Sequence, residues 1–367
     1  MATSRAVQAQ QPTVLREDPQ PPCEIELEPG PVFRGGGWDD ENWVSNAYDV
    51  EALPGGRLAI TEQLRPERFL VASADVPGGR WVGRGGEGPG EYRWIRWVRA
   101  HGDRLHVFDA LNRRRTVLDA TDFEVLHTNP LSPGTLENDA VVLDDSSYVI
   151  NATMYAADRV GYVLHLMNGE GDVVRSFDEV PVGVPGAPSP FRSITPAARS
   201  GEVWSVSPEE YRIDLWDAAA GTRLRSLVRE VEWFPPNSPR RELHPDQPGS
   251  PGIRYMTSDS RDRLWVMISV AAANWADCLV ETPPGLHPEA GEYTRRENCS
   301  LYEQRIEVLD PGAGRILAAA NFTDGFGAVD GGLLFSYETD AFGFPTLRFW
   351  RPSLRVANPE SDRECAA

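Results

Sequence analysis

Lysine is missing from this chain: all 36 basic residues among its 367 are arginine. Schiff-base chemistry, a Walker-type phosphate-gripping lysine and a lysine general base are therefore excluded. Long apolar runs are missing too. No stretch reaches 18 consecutive apolar residues, so no membrane-spanning helix is predicted. Cysteine is scarce. Cys23, Cys278, Cys299 and Cys365 form no C-x-x-C pair, which leaves zinc and dithiol motifs unsupported. Six histidines are scattered without metal-type pairing, and no G-x-S-x-G nucleophile elbow exists. His106 and His165 fall in strand patterns and read as structural. His244 and His287, each before a proline in a loop, are the only ones placed for acid–base work, so no catalytic residue is assigned.

Cations are outnumbered by 55 acidic residues, and the net charge of −19 repels phosphate backbones and anionic membrane surfaces, so nucleic acid is not an expected partner. The N-terminus has no apolar signal core, but Val7-Gln8-Ala9 before Gln10 has the shape of a cleavage site, and "QPTVLREDPQPP" reads as a polar leader. Residues 1–22 are expected to be a disordered leader carrying a signal-peptide remnant, and residues 23–367 one domain. The cysteines suit two bridges, Cys23–Cys365 joining the ends of the domain and Cys278–Cys299 stapling an insertion. Disulfides point to an exported protein, periplasmic or extracellular.

Long helical periods are also few; what is present is a repeat. A tight polar turn followed by alternating apolar residues recurs six times: "PGGRLAIT", "HGDRLHVFD", "DDSSYVIN", "RSGEVWSV", "SRDRLWVMI" and "DGGLLFSY". The first apolar residues, Leu58, Leu105, Tyr148, Val203, Leu264 and Leu333, are 47, 43, 55, 61 and 69 apart. A four-stranded propeller blade needs roughly 40–50 residues, so the longer intervals carry insertions. Strand–turn–strand units such as "RRTVLDATDFEVLHT" and "RIDLWDAAAGTRLRSL" follow, with Asp and Gly reversing the chain. The fold class is therefore all-β, a six-bladed β-propeller with blades of strands a to d. Blade 6 runs out of chain after strand c, "PTLRFWRP", so the N-terminal "CEIELEPGPVF" is expected to supply its outer strand and close the ring by pairing the chain ends.

Topology then sorts the loops. The a–b and c–d turns lie at one end of the blades and are short; the b–c loops and d–a linkers lie at the other and hold nearly all the length. Loops on a rigid scaffold carry function, which makes the loop-rich face the expected binding surface. Its expected ligand-binding residues are Trp38, Asp40, Arg84, Glu87, Glu91, Tyr92, Tyr155, Arg159, Arg192, Arg254 and Tyr255. Arginine with aromatics suits a protein, a peptide or a carbohydrate-like ligand. The leading reading is an exported, monomeric, non-enzymatic binding propeller without cofactor. The alternative is a calcium-dependent hydrolase or lyase at the channel mouth, with Asp40, Asn46, Glu87, Asn138 and Asp139 as oxygen ligands.

One segment tests these readings. "GRGGEGPGEY" contains Gly83, Gly85 and Gly88 in G-x-G-x-x-G spacing, but Pro89-Gly90 follow and no helical run comes after, so it is no dinucleotide turn. It reads as the linker from blade 1 to blade 2. With the six repeats, Gly83, Gly86, Gly88, Pro89, Gly90, Glu91 and Tyr92 resemble the G-x-x-G-x-G-P-G-E-[FY] linker of bacterial six-bladed propellers related to the NHL repeat, which implies the fold. "GEGP" is also similar to a segment of gluconolactonase- and regucalcin-type propellers, which implies a metal ligand at Glu87 and lactonase-like chemistry; the S-P-D-G segment of that family is absent here.

Overall fold

The computed structural model describes residues 11–16, 20–34, 44, 47–73, 76–132, 134–181, 188–235, 243–282, 292–297, 299–323, 325–329, 332–339, 345–357 and 365. It is a six-bladed β-propeller. Blade 1 is Ala47–Leu53, Arg57–Glu62, Phe69–Ser73 and Val76–Val82. Blade 2 is Ile95–His101, Arg104–Asp109, Arg114–Asp119 and Val125–Pro130. Blade 3 is Gly134–Asp144, Ser147–Met154, Tyr162–Asn168 and Val173–Glu179. Blade 4 is Ser193–Pro196, Glu202–Val206, Arg212–Asp217 and Thr222–Val228. Blade 5 is Gly252–Ser258, Leu264–Ala271, Tyr302–Asp310 and Arg315–Phe322. Blade 6 takes Phe326–Val329, Leu333–Thr339 and Pro345–Val356 from the C-terminal end.

Its fourth strand is the N-terminal Cys23–Arg34, antiparallel to Pro345–Val356 from Cys23 opposite Val356 to Arg34 opposite Thr346. Closure by the chain ends is thus as the repeat count predicts. Both predicted disulfides form, Cys23–Cys365 with Cα atoms 5.6 Å apart and Cys278–Cys299 with 5.4 Å.

The strand period of two explains the packing. Successive side chains leave opposite faces of a blade, so each strand feeds the cores on both sides of it. Leu105 and Val107 pack toward blade 1, while Phe108, the residue after Val107, packs toward blade 3. Among the described residues six apolar clusters result, one in each gap between neighbouring blades. Burial of each large aliphatic side chain contributes about 1.5–3 kcal/mol, so these gaps hold the ring together. A seventh, smaller cluster of Trp275, Cys278, Leu279 and Leu301 sits within the blade 5 insertion, whose strands Leu279–Glu281 and Tyr293–Arg295 pair as a ribbon.

One expectation is corrected. Residues 1–22 are not leader throughout: Thr13–Val14 pairs in parallel with Leu227–Val228 as a fifth strand of blade 4, and Leu15 is buried. A polar, proline-rich composition hid a segment that needs only one apolar anchor to dock.

Candidate functional site

The inner strands place polar side chains where each can serve the next blade. Asp49 of blade 1 accepts from the Val98 N–H at 3.1 Å and from Arg99 Nη1 at 2.7 Å. Glu51 accepts from the Ala100 N–H at 2.7 Å. Arg99 of blade 2 donates through Nε to the Ala140 carbonyl at 2.8 Å and through Nη2 to Asp139 at 2.7 Å. Asp139 of blade 3 accepts from the Ile194 N–H at 3.0 Å, and Ser193 of blade 4 accepts from the Met256 N–H at 3.2 Å. A polar relay thus links blades 1 to 5 around the channel.

Arg99 is its centre, buried to 8% exposure between two carboxylates. Burial raises the Asp139 carboxyl above its ordinary value, and Arg99 opposes that shift. Arg99 and Glu51 also divide the channel. Both line an upper cavity of about 250 Å³ at the starts of the inner strands and a lower one of about 400 Å³ at their ends, by the short turns.

The upper cavity faces the loop-rich end. Besides Asp49, Arg99 and Asp139 it is walled by Tyr48, Trp97, Ser193, Tyr255 and Phe335. Burial raises both the Tyr48 and the Tyr255 hydroxyls, with Asp49 and Asp139 adding to it, so both phenols stay protonated at neutral pH. The Arg96 guanidinium lies 4.9 Å over the Tyr48 ring and 5.8 Å from Trp94, which extends the aromatic surface outward from the cavity. Tyr48, Trp94 and Tyr255 are 36%, 41% and 40% exposed.

Of the described residues expected to contact ligand, the cavity takes in Tyr255 alone. Arg254, beside it, is exposed. The four linker residues are used differently. Glu91 accepts from the Gly88 N–H at 2.8 Å and pairs with Arg84 at 2.8 Å; these hydrogen bonds, first that from Gly88, hold its carboxyl below the ordinary range. Arg114 of blade 2 grips the Glu87, Gly88 and Glu91 carbonyls, and Asn112 donates to the Gly86 carbonyl at 2.9 Å. Tyr92 is fully buried against Gly83, and burial pushes its hydroxyl to about 12. The "GRGGEGPGEY" linker is therefore a brace that ties blade 1 to blade 2.

Arg192 is likewise buried, pairing with Asp178 at 2.6 Å and donating to the Ser189 and Phe191 carbonyls. Tyr155 is 64% exposed on the blade 3 b–c loop, and Arg159 stands there beside Asp158 at 3.9 Å. Trp38, Asp40 and Asn46 lie outside the described residues. Of the expected calcium ligands, Asp139 is engaged by Arg99, and Glu87 stands exposed in the linker beside Arg93 at 3.6 Å; Asn138 is in the inner strand of blade 3. Among the described residues no three His, Cys, Asp or Glu side chains converge as a metal site. His244 packs edge-on against Tyr293 at 5.2 Å, and His287 lies outside the described residues.

Sequence reasoning missed Tyr48, Asp49, Glu51, Trp94, Arg96 and Arg99. A signal existed for the acids and the arginine. Asp49 and Glu51 share one face of an otherwise apolar inner strand, and Arg99 does so in "WVRA"; charges at such positions need partners across the gap between blades.

No protein-family model matches the chain, and no curated protein matches it. Solved structures do resemble it. A member of the DUF4221 family from Bacteroides vulgatus superposes with a TM-score of 0.61 at 12% identity, over 91% of this chain and 99% of that one. A candidate exported protein from Bacteroides fragilis gives 0.57 at 13% identity, over 95% and 100%. At these identities the likeness is one of fold.

Proposed function

We propose that the protein is an exported, non-catalytic binding module that takes its ligand on the loop-rich face, over the upper cavity. The carrying observation is where apolar surface is left exposed. Among the described residues, the exposed large apolar side chains fall on this face (Tyr48, Leu64, Trp94, Leu111, Tyr155, Val160, Phe191, Tyr255) or on outer strands and their partners, and none falls in an a–b or c–d turn. Aromatics with an exposed polar tip, interleaved with Arg96 and Arg254, suit a peptide or carbohydrate-like ligand. The lining supports binding over catalysis, since Asp49 and Asp139 already accept from Arg99 and from backbone N–H groups and both phenols are neutral. Two disulfides, the cleavage-site-like Val7-Gln8-Ala9 and the Bacteroides fragilis neighbour support export.

The test is an array of immobilised glycans and peptides probed with the wild-type chain and with Tyr48→Ala/Tyr255→Ala. Binders are expected to lose at least tenfold in affinity for the double variant and none for Leu126→Ala on an outer strand. Retention of binding by the double variant would sink the reading. Millimolar calcium is expected to leave the melting temperature unchanged; an EDTA-reversible rise would favour the calcium-dependent enzyme instead.

A further inference from the structure

The segment Thr13–Arg16 occupies a groove on the rim of the ring, between the outer strands of blades 4 and 5. It uses both walls. Thr13 and Val14 pair in parallel with Leu227 and Val228, and the Leu15 N–H donates to the Val228 carbonyl at 2.8 Å. Arg16 then forms a parallel bridge with Arg315 on the other wall, its carbonyl accepting from the Ile316 N–H at 3.3 Å. Among the described residues one side chain anchors it. Leu15 is 4% exposed in the apolar cluster between the two blades, with Leu227 and Ile316 among its members, while Thr13, Val14 and Arg16 are exposed.

The groove is shaped for a backbone at this place. Gly314 has a φ of +67°, and a Cβ there would come within 2.5 Å of the Thr13 methyl. Among the described residues, blade 4 alone carries a fifth strand. The contrast with the other N-terminal strand sets the strength of the hold. Cys23–Arg34 pairs at ten positions and is locked by a disulfide, whereas among the described residues Thr13–Arg16 has one leucine and a few backbone hydrogen bonds. An open sheet edge accepts a strand whose side chain fills the pocket beside it.

We propose that the groove between blades 4 and 5 is a second binding site, for an extended peptide strand of another protein that presents a leucine after two β-branched residues, and that Thr13–Arg16 is its resident occupant. Backbone hydrogen bonds to both walls supply affinity, and the leucine pocket supplies selectivity. Because the resident segment is tethered, it competes as an intramolecular ligand and sets the affinity that a partner must exceed. This site lies on the rim, apart from the loop-rich face, and stands or falls separately from the function proposed above.

The test uses a fluorescein-labelled peptide of residues 11–19, QPTVLREDP, in anisotropy titrations with the full chain. Leu15→Asp expels the resident strand, so that variant is expected to bind the peptide saturably and the wild type at least tenfold more weakly. Gly314→Val added to Leu15→Asp should lose at least tenfold, and a peptide carrying aspartate in place of its leucine should not bind. A folded Leu15→Asp chain that shows no saturable binding at 1 mM peptide overturns the proposal. Should that variant fail to fold, hydrogen exchange on the wild type decides. The Leu15 and Ile316 amides should exchange at least tenfold faster than the Leu215 amide inside blade 4; equal protection means a permanent strap and overturns it. A wild-type dimer in sedimentation that the peptide dissociates would overturn the choice of occupant, assigning the groove to a second copy of this chain.

Discussion

Replacing Arg99 by methionine keeps most of its bulk and removes its charge from between Asp49 and Asp139. Both ion pairs are 2.7 Å long, and all three side chains are largely buried. Removing one partner from a buried ionic group costs about 3–5 kcal/mol, because the remaining charges lose their compensation. With about 2.1 cal/mol/K of unfolding entropy per residue, 367 residues give about 0.8 kcal/mol/K, so the melting temperature should fall by about 4–6 °C. The loss should also depend on pH in a defined direction. Asp139 is already raised by burial and is lowered by Arg99; without the arginine its pKa climbs further. A carboxyl with a folded pKa above its unfolded value binds protons preferentially in the folded state, so stability is regained as pH falls through the folded pKa and is complete only below about 3.9. Urea unfolding of wild type and Arg99→Met between pH 8 and pH 5 should show a gap that narrows toward pH 5. A gap below about 1 kcal/mol at pH 8, or one that does not change with pH, would refute the assignment of Arg99 as the compensating charge of the channel.

Other outcomes follow from the same contacts. Cys23→Ser/Cys365→Ser removes a cross-link between residues 342 apart in sequence and should cost about 2–5 kcal/mol, read as an earlier urea midpoint; an unchanged midpoint would show that ten paired positions close the ring unaided. Gly86→Ala should destabilise by about 1–3 kcal/mol, because Gly86 has a φ of +149° and a Cβ there runs into the Glu91 carboxylate; Gly55→Ala, with φ +76° but open space around it, should cost only about 1 kcal/mol. Burial pushes His106 down to about 3 and His165 down to about 4, so NMR should find neither ring titrating between pH 5 and 8. Since both folded pKa values lie below the unfolded one near 6.5, their stabilising share is present above pH 6.5 and is lost as pH falls toward 4 and 3. A ring that titrates near 6.5 in the folded protein would contradict its burial.

What the amino-acid order revealed about this molecule is what short-range chemistry encodes. The blades were legible because a polar turn and an alternating strand are both written within about eight residues. Counting strands exposed the missing partner of Pro345–Val356, and the only unassigned β-rich run was Cys23–Arg34. The two disulfides followed from where those strands and the insertion end. The glycines of the first linker read as a sharp crossing, and Gly83, Gly86 and Gly90 take positive φ there; Glu91 reads equally well as a ligand contact, yet it pairs with Arg84. A charged side chain does not announce whether its partner is a ligand, a neighbour seven residues on, or a carbonyl gripped by Arg114.

The rest was decided only when the ring closed. Asp49, Arg99, Asp139 and Ser193 come from four blades and line one cavity because the inner strands converge on one axis. Alternation tells which face of a strand a residue takes, not which residue waits across the gap. Likewise nothing near Thr13–Arg16 marks it as a strand. Its pairing groups and its leucine pocket belong to blades some 200 and 300 residues away, and the hydrogen bonds it satisfies exist only once those blades stand side by side.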